Sequence, residues 1–283
     1  MLMSQMQGAR AKRRYSYLLG DARREAARLR AQARLWDPVS FALFDRIGVR
    51  KGWRILEIGP GQGSLHVELR RRAGRPVDAV ERSPVFAVAL DRRCRHDRLG
   101  PGTIWQTDLI SAPLPAATYD LIFTRWVFLF LPNPQAHLRK LVRALKPGGR
   151  LAIQDYHRET MALVPRSPEW EAFLEADRLF FASEGGDVSV GGWLPDLFRE
   201  AGLELDSTEV TIKSGHPGSP VWNWLSTYFL DIMPRYTSFP PFGSAGARRL
   251  VRHWRTAAKE PTSILIGPAL LDIVGRKARR RRT

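Results

Sequence analysis

Nine residues, Ile55-Leu56-Glu57-Ile58-Gly59-Pro60-Gly61-Gln62-Gly63, constrain this chain more than any other stretch. An apolar strand ends in a motif where glycine recurs at every second position, and a helical pattern opens at Ser64. Glycines there let the backbone turn tightly and approach a ligand where a Cβ would collide. Ser64 stands where a dinucleotide fingerprint would have its third glycine, so the spacing is Gly-x-Gly-x-Gly and asks for no pyrophosphate cradle.

Further strands follow in order. Val77-Asp78-Ala79-Val80-Glu81 is a short apolar run ending in a carboxylate, 18 residues after Gly63. A carboxylate there can accept the ribose hydroxyls of an adenosine. Thr103 to Asp108 predicts strand 3, and Tyr119 to Thr124 strand 4. Asn133 and Pro134 open a helix with Leu138, Leu141, Val142 and Leu145 on one face, closed by Lys146-Pro147-Gly148-Gly149. Arg150 to Asp155 supplies strand 5. The glycine turn resembles motif I of class I S-adenosylmethionine (SAM) methyltransferases. The runs Tyr119-Asp120-Leu121-Ile122, Trp126 to Pro132, and Leu145 to Leu151 resemble the methyltransferase domain family that includes the ubiquinone/menaquinone-type C-methyltransferases. The resemblance covers about residues 50 to 156. It implies an α/β, Rossmann-like seven-stranded sheet with helices on both faces, an N-terminal helical segment and a mostly helical cap.

The resemblance also implies a cofactor, SAM, and places its site. Gly59, Gly61 and Gly63 would approach its methionine portion, with Glu57 orienting the loop and meeting the amino group. Glu81, with Arg82 beside it, would take the ribose, and Asp108 and Leu109 the adenine. Thr124 and Arg125 would run their backbone along the methionine moiety. In relatives a leading segment folds over the cofactor, and Tyr17 and Arg28 are this chain's candidates for the sulfonium and the carboxylate.

The chain organises around that core. Residues 1–14 are a basic end expected to be disordered, and 15–50 a helical segment with Asp21 as N-cap, Ala22 to Leu35 helical, and a break at Asp37-Pro38. The SAM-binding core spans 51–213, with a first cap insertion at about 156–192, a helix at about 193–201 and strand 6 over 203–213. A second, helical insertion covers 214–262, with helices at about 221–233 and 245–259. A last strand from Ile264 to Val274 returns to the sheet within a 263–277 segment, and 278–283 is a basic tail. Both insertions leave the carboxyl edge, where open α/β sheets bind ligands. Their aromatics, among them Trp170, Phe173, Trp222, Trp224 and Tyr228, are expected to form the cap's own core and to line an apolar pocket.

Composition narrows the function. The formal charge is +17, but 38 of the 45 basic residues are Arg and they are spread over helix surfaces. Only Lys12-Arg13-Arg14 and Arg276 to Arg282 are true clusters, of the kind found in solvated ends. A small-molecule substrate is therefore expected rather than nucleic acid, with a bulky, apolar or aromatic body. No run of 18 apolar residues or secretory signal is present, and a single Cys94 fits a reducing compartment, so a cytoplasmic enzyme is expected. Monomer and homodimer remain open. The six histidines show no metal-ligand spacing, and no metal is expected. His157, just past strand 5, is the best-placed general base, and Asp155 and Tyr156 share its edge. Two other classes stay in play: an RNA- or protein-modifying methyltransferase that uses the basic surface, and a non-catalytic SAM-fold binding protein.

Overall fold

The computed structural model describes residues 22–96, 98–240 and 242–279, with side chains from Arg28 onward. Seven strands form one sheet: β1 (Ile55–Ile58), β2 (Asp78–Val80), β3 (Ile104–Trp105), β4 (Tyr119–Arg125), β5 (Leu145–His157), β7 (Leu203–Thr211) and β10 (Ala269–Lys277). Their order is β3-β2-β1-β4-β5-β10-β7, and β10 alone runs against its neighbours. The sheet reverses direction of strand addition at β1 and β4, so a crevice opens above their carboxyl ends.

Alternation along the strands splits the core into two layers. Ile55, Leu121, Phe123, Ala152 and Val274 face one side, against Leu65, Leu69 and Ala73 of α2 (Ser64–Ala73) and Leu43, Phe44 and Ile47 of α1 (Ala22–Ile47). Leu56, Ile58, Ile122, Leu151, Ile153 and Ile273 face the other, against Leu138 and Leu141 of α4 (Pro134–Ala144) and Phe198 of α6 (Leu194–Glu200). Between them in sequence, α3 (Pro84–Arg95) starts at Ser83, whose hydroxyl accepts the Phe86 N–H, and packs Leu90 and Cys94 under Ala79 of β2.

Three expectations need correcting. The helix does not break at Asp37-Pro38: α1 runs through Pro38 from Ala22 to Ile47. A proline in a helix interior costs about 3 kcal/mol, and here the helix is held on both sides of it by fully buried Trp36, Ser40, Leu43 and Phe44. The last strand is two strands. Gly267-Pro268 interrupts it, because proline has no N–H for a ladder and Gly267 gives its own to the Lys213 carbonyl. The first piece, β9 (Ile264–Ile266), pairs instead with β6 (Ala162–Val164) and β8 (Ser214–Gly215) in a separate three-stranded sheet. Finally, β5 starts directly at Leu145, where Lys146 to Gly149 was expected to close a helix.

The cap is that small sheet plus α5 (Pro168–Ser183), α7 (Pro220–Tyr236) and α8 (Gly243–Ala257). Its centre is a run of ring contacts: Trp170 with Phe173, Phe229 and Trp254, and Trp222 on Trp254 at 4.4 Å. The cap meets the core through α1. Trp36 is fully buried and sits edge-on to Trp126 at 6.1 Å and to Trp224 of α7 at 5.8 Å. One indole thus touches helix, core loop and cap together. Replacing Trp36 with Ala should lower unfolding free energy by about 3–5 kcal/mol, the range for large aromatic truncations in a core. Denaturant titration reads it directly; a loss under about 1 kcal/mol would mean that cap and core are not joined there.

Candidate active site

The glycine turn is built as its sequence implied. Gly59, Gly61 and Gly63 all have positive φ, at 67°, 55° and 76°. At two of them space also excludes a side chain: a Cβ on Gly59 would stand 2.6 Å from Val127 Cγ2, and one on Gly63 2.7 Å from Leu90 Cδ1. Glu81 braces the turn from β2. Its buried carboxylate accepts the Gly61 N–H at 3.0 Å and the Ser83 N–H at 2.8 Å, and burial raises its pKa despite those bonds. Beneath the turn, Glu57 Oε2 lies 2.9 Å from His66 Nδ1. Burial alone would lower the His66 pKa, but Cys94 and Glu57 beside it lift it to about 9.

A cavity of about 870 Å³ opens above this turn, within the size range of small-molecule sites. One end is walled by Glu57, Gly59, Gly61, Ser83, Val85 and Phe86. The other is walled by Leu129, Phe130, Met161, Trp224, Leu225 and Tyr228, from the core and from the cap. Arg28, Gln32, Arg125, Trp126, Tyr156 and Arg158 complete the walls. Arg125 is pinned by Asp37 of α1 at 2.7 Å and by the Ser40 hydroxyl at 2.8 Å, and lies 4.3 Å over the Trp126 ring. Trp126 has a left-handed backbone, φ 56°, which is costly for an aromatic residue. That turn stacks its indole on Tyr156 at 5.3 Å. Gln32 bridges helix and cap, its Oε1 accepting from Arg28 Nη1 at 2.7 Å and from Trp224 Nε1 at 3.3 Å.

Of the residues expected here, Arg28, Glu57, Gly59, Gly61, Arg125 and Tyr156 line the cavity. Glu81 and Gly63 stand behind the lining as braces, and Thr124 is fully buried with its hydroxyl unpaired among the described residues. Arg82, Asp108 and Leu109 do not reach it. Arg82 and Asp108 face each other at 3.8 Å on the surface, the Asp108 carbonyl accepts the N–H groups of Ser111 and Ala112 in a turn, and Leu109 joins the core. Tyr17 lies outside the described residues.

The catalytic expectation changes most. Along β5 the side chains alternate, so Tyr156 faces the cavity while Asp155 and His157 face away. His157 instead packs near Gly192, where a Cβ would be 3.2 Å from its Nδ1, and its Nε2 is 3.7 Å from Glu159. Asp155 is fully buried and accepts the backbone N–H groups of Phe128, Leu129 and Tyr156 at 2.8, 3.3 and 2.9 Å. It holds the loop after β4 in place. Sequence reasoning passed over Gln32, Trp126 and Arg158 as site residues. Trp126 sits just past the strand 4 end and Arg158 one residue past His157, so counting one residue further at each strand tip would have found both.

The sheet order with its antiparallel seventh strand, the glycine turn and the braced carboxylate on β2 together define the class I methyltransferase fold. Residues 56–153 match the family model described as Methyltransferase domain. A ubiquinone/menaquinone biosynthesis C-methyltransferase of Azotobacter vinelandii is 28% identical over 134 residues, 46% of this chain and 52% of that protein. The 27-O-demethylrifamycin SV methyltransferase of Amycolatopsis mediterranei is 29% identical over 162 residues, 57% of each chain. The match thus spans about half the length of these relatives. Among solved structures, a geranyl diphosphate C-methyltransferase of Streptomyces coelicolor superposes with a TM-score of 0.55 at 15% identity, covering 92% of this chain and 87% of that one. SpnF, described as a cyclase, superposes at 0.54 and 18% identity, covering 86% and 82%. At such identities the likeness shows the fold alone.

Burial raises the Asp155 pKa to about 7 from an ordinary 3.8, against the three N–H bonds that lower it. A carboxyl raised in the folded state stabilises most when protonated, so its contribution is full below about 3.8 and is lost as pH rises through about 7. The stability of the wild type relative to Asp155→Asn should therefore fall as pH rises from about 4 to about 7. Urea titrations across that window measure it; a difference independent of pH would return Asp155 to ordinary titration.

Proposed function

We propose that the protein transfers a methyl group from SAM to a small molecule with a bulky, apolar or aromatic body. The observation that carries this is the turn at Gly59 to Gly63, whose three positive φ angles bring the bare backbone of Gly59 and Gly61 to the wall of the cavity. Glu57 lines the cavity and engages His66 through Oε2, which leaves Oε1 for a ligand's ammonium. Arg28 and Arg125 flank the same end as candidates for a carboxylate. The Glu81 carboxylate keeps lone pairs beyond its two backbone bonds and is the candidate for ribose hydroxyls.

When bound, SAM supplies an activated methyl on a sulfonium, so the chain's own task is to hold a nucleophile in line and keep water out. Leu129, Phe130, Met161, Trp224 and Leu225 provide the dry end, and their character supports the apolar or aromatic body. The described lining residues include no histidine, and their one carboxylate, Glu57, is paired with His66. Burial holds the Tyr156 phenol well above its ordinary range and pushes Tyr228 up to about 12, so neither accepts a proton near neutrality. The nucleophile therefore enters already ionised, or is an electron-rich carbon, and proximity does the rest. This replaces His157 as general base: it faces away from the cavity, and its removal should change turnover by less than about threefold, where loss of a true base costs about 10²-fold or more.

Calorimetry tests the cofactor reading. SAM and S-adenosylhomocysteine should bind, and NAD should not. Glu81→Ala should weaken S-adenosylhomocysteine by about 1.5–3 kcal/mol, the scale of hydrogen bonds to a charged group. Binding of NAD without a SAM response would overturn the reading. A shift below tenfold would remove Glu81 from ribose binding and leave it a brace of the turn.

A further inference from the structure

We propose that Arg158 binds the substrate, receiving a compact anionic group, a carboxylate or a phosphate, at the cap end of the cavity. The inference rests on the methyltransferase reading and names the substrate class for the same site. Arg158 is buried at the end of β5 yet lines the cavity beside Tyr156, Met161 and Tyr228. Among the described residues only Nη1 of its three nitrogens donates a hydrogen bond. Nη1 donates to both Asp177 oxygens, at 2.8 and 2.7 Å, and to the Tyr228 hydroxyl at 2.9 Å. Among the described residues Nε and Nη2 have no such partner, and neither is sealed away as a buried unpaired atom. The guanidinium is also sandwiched by rings, 5.4 Å from Tyr156, 4.8 Å from Phe181 and 5.1 Å from Tyr228. Three rings and three bonds thus fix one edge of a planar fork on a side chain that lines the cavity, and its other edge, Nε and Nη2, has the shape that suits a bidentate anion.

The surrounding charge favours the same ligand. Asp177 is the counter-ion, but its charge is shared: the Tyr228 hydroxyl donates to Oδ1 at 3.0 Å, and the Tyr236 hydroxyl donates to the same oxygen. The cavity walls carry Arg28, Arg30, Arg34, Arg93, Arg125 and Arg158 against the single carboxylate of Glu57. Even with Arg125 paired to Asp37 and Arg158 to Asp177, the described walls carry more positive than negative charge, which draws anions inward. An anchored, net-cationic wall also suits a site that offers no base, since it favours a nucleophile in its ionised form. A purely structural Arg158–Asp177 pin between β5 and α5 would need none of the free edge, and buried ion pairs by themselves add little net stability.

The test uses the full chain saturated with S-adenosylhomocysteine, titrated calorimetrically with phenylacetate, phenyl phosphate and neutral methyl phenylacetate. At least one anion should bind about tenfold or more tighter than the ester, as a charge-assisted bond implies; which anion wins identifies the group. Arg158→Gln should abolish that preference and leave S-adenosylhomocysteine within about threefold. Because Arg158→Gln leaves Asp177 buried and unpaired, the double variant Arg158→Gln with Asp177→Asn removes both charges and protects the fold, which near-ultraviolet circular dichroism checks. It should show the same loss. The proposal is overturned if neither anion binds, if the ester binds equally well, or if the preference survives in the double variant. Failure of S-adenosylhomocysteine to bind while the anion preference persists would instead overturn the methyltransferase reading alone.

Discussion

The site depends on how Arg125 is held. Its guanidinium leaves the end of β4 and meets Asp37 and Ser40 of α1, and Ser40 passes a hydrogen bond to Gln154 of β5. Gln154 donates to Asp272 of β10, and Asp272 receives Arg46 at the far end of α1. A chain of polar contacts thus fastens one helix to three adjacent strands. A buried ion pair of this kind adds little net stability against an apolar replacement. What it does here is fix direction: with Arg125 and Arg46 anchored, the first half of α1 must project past the carboxyl edge, carrying Arg28 and Gln32 to the cavity. Gln32 then receives Trp224, and the cap is aligned to the core.

The aromatic contacts turn that alignment into a shape. Trp36 touches both Trp126 and Trp224, and Trp126 lies between Arg125 and Tyr156. The left-handed backbone of Trp126 is tolerated because these partners determine where its ring must go. Asp155 secures the next residues of the same loop by accepting the Phe128 and Leu129 N–H groups. A residue that sequence reasoning set at the chemistry is thus a support for the wall that the substrate meets. Among the described residues the cavity it supports is apolar at one end, cationic around its sides and without a histidine.

Much of this was legible in the sequence because it was local. The strand–turn–helix at Ile55 to Ser64 and the carboxylate at Glu81 follow from short-range pattern, and the structure places them as expected in the fold. The long α1 was not legible, since Asp37-Pro38 is a break signal and only the tertiary contacts of Trp36, Ser40 and Arg125 override it. The face of β5 was misjudged for a similar reason. Proximity to the strand tip singled out His157, but alternation assigns the cavity to Tyr156, and the turn that follows brings back Arg158. Asp108 followed the family's spacing, yet β3 is only two residues long and its following loop settles as a surface turn. Where a loop between strand and helix decides a side chain's direction, spacing along the chain does not report it.

The fold is shared by methyltransferases and by a cyclase, so the decisive question is whether a methyl group moves. The most direct measurement is incubation of the protein with methyl-labelled SAM and a metabolite extract, followed by mass spectrometry of the small molecules. The account predicts a labelled product that carries an anionic group on an apolar or aromatic body, formed together with S-adenosylhomocysteine. SAM that binds but stays intact across extracts rich in such acids would contradict it, and would make this a protein that uses the fold for binding or for another reaction.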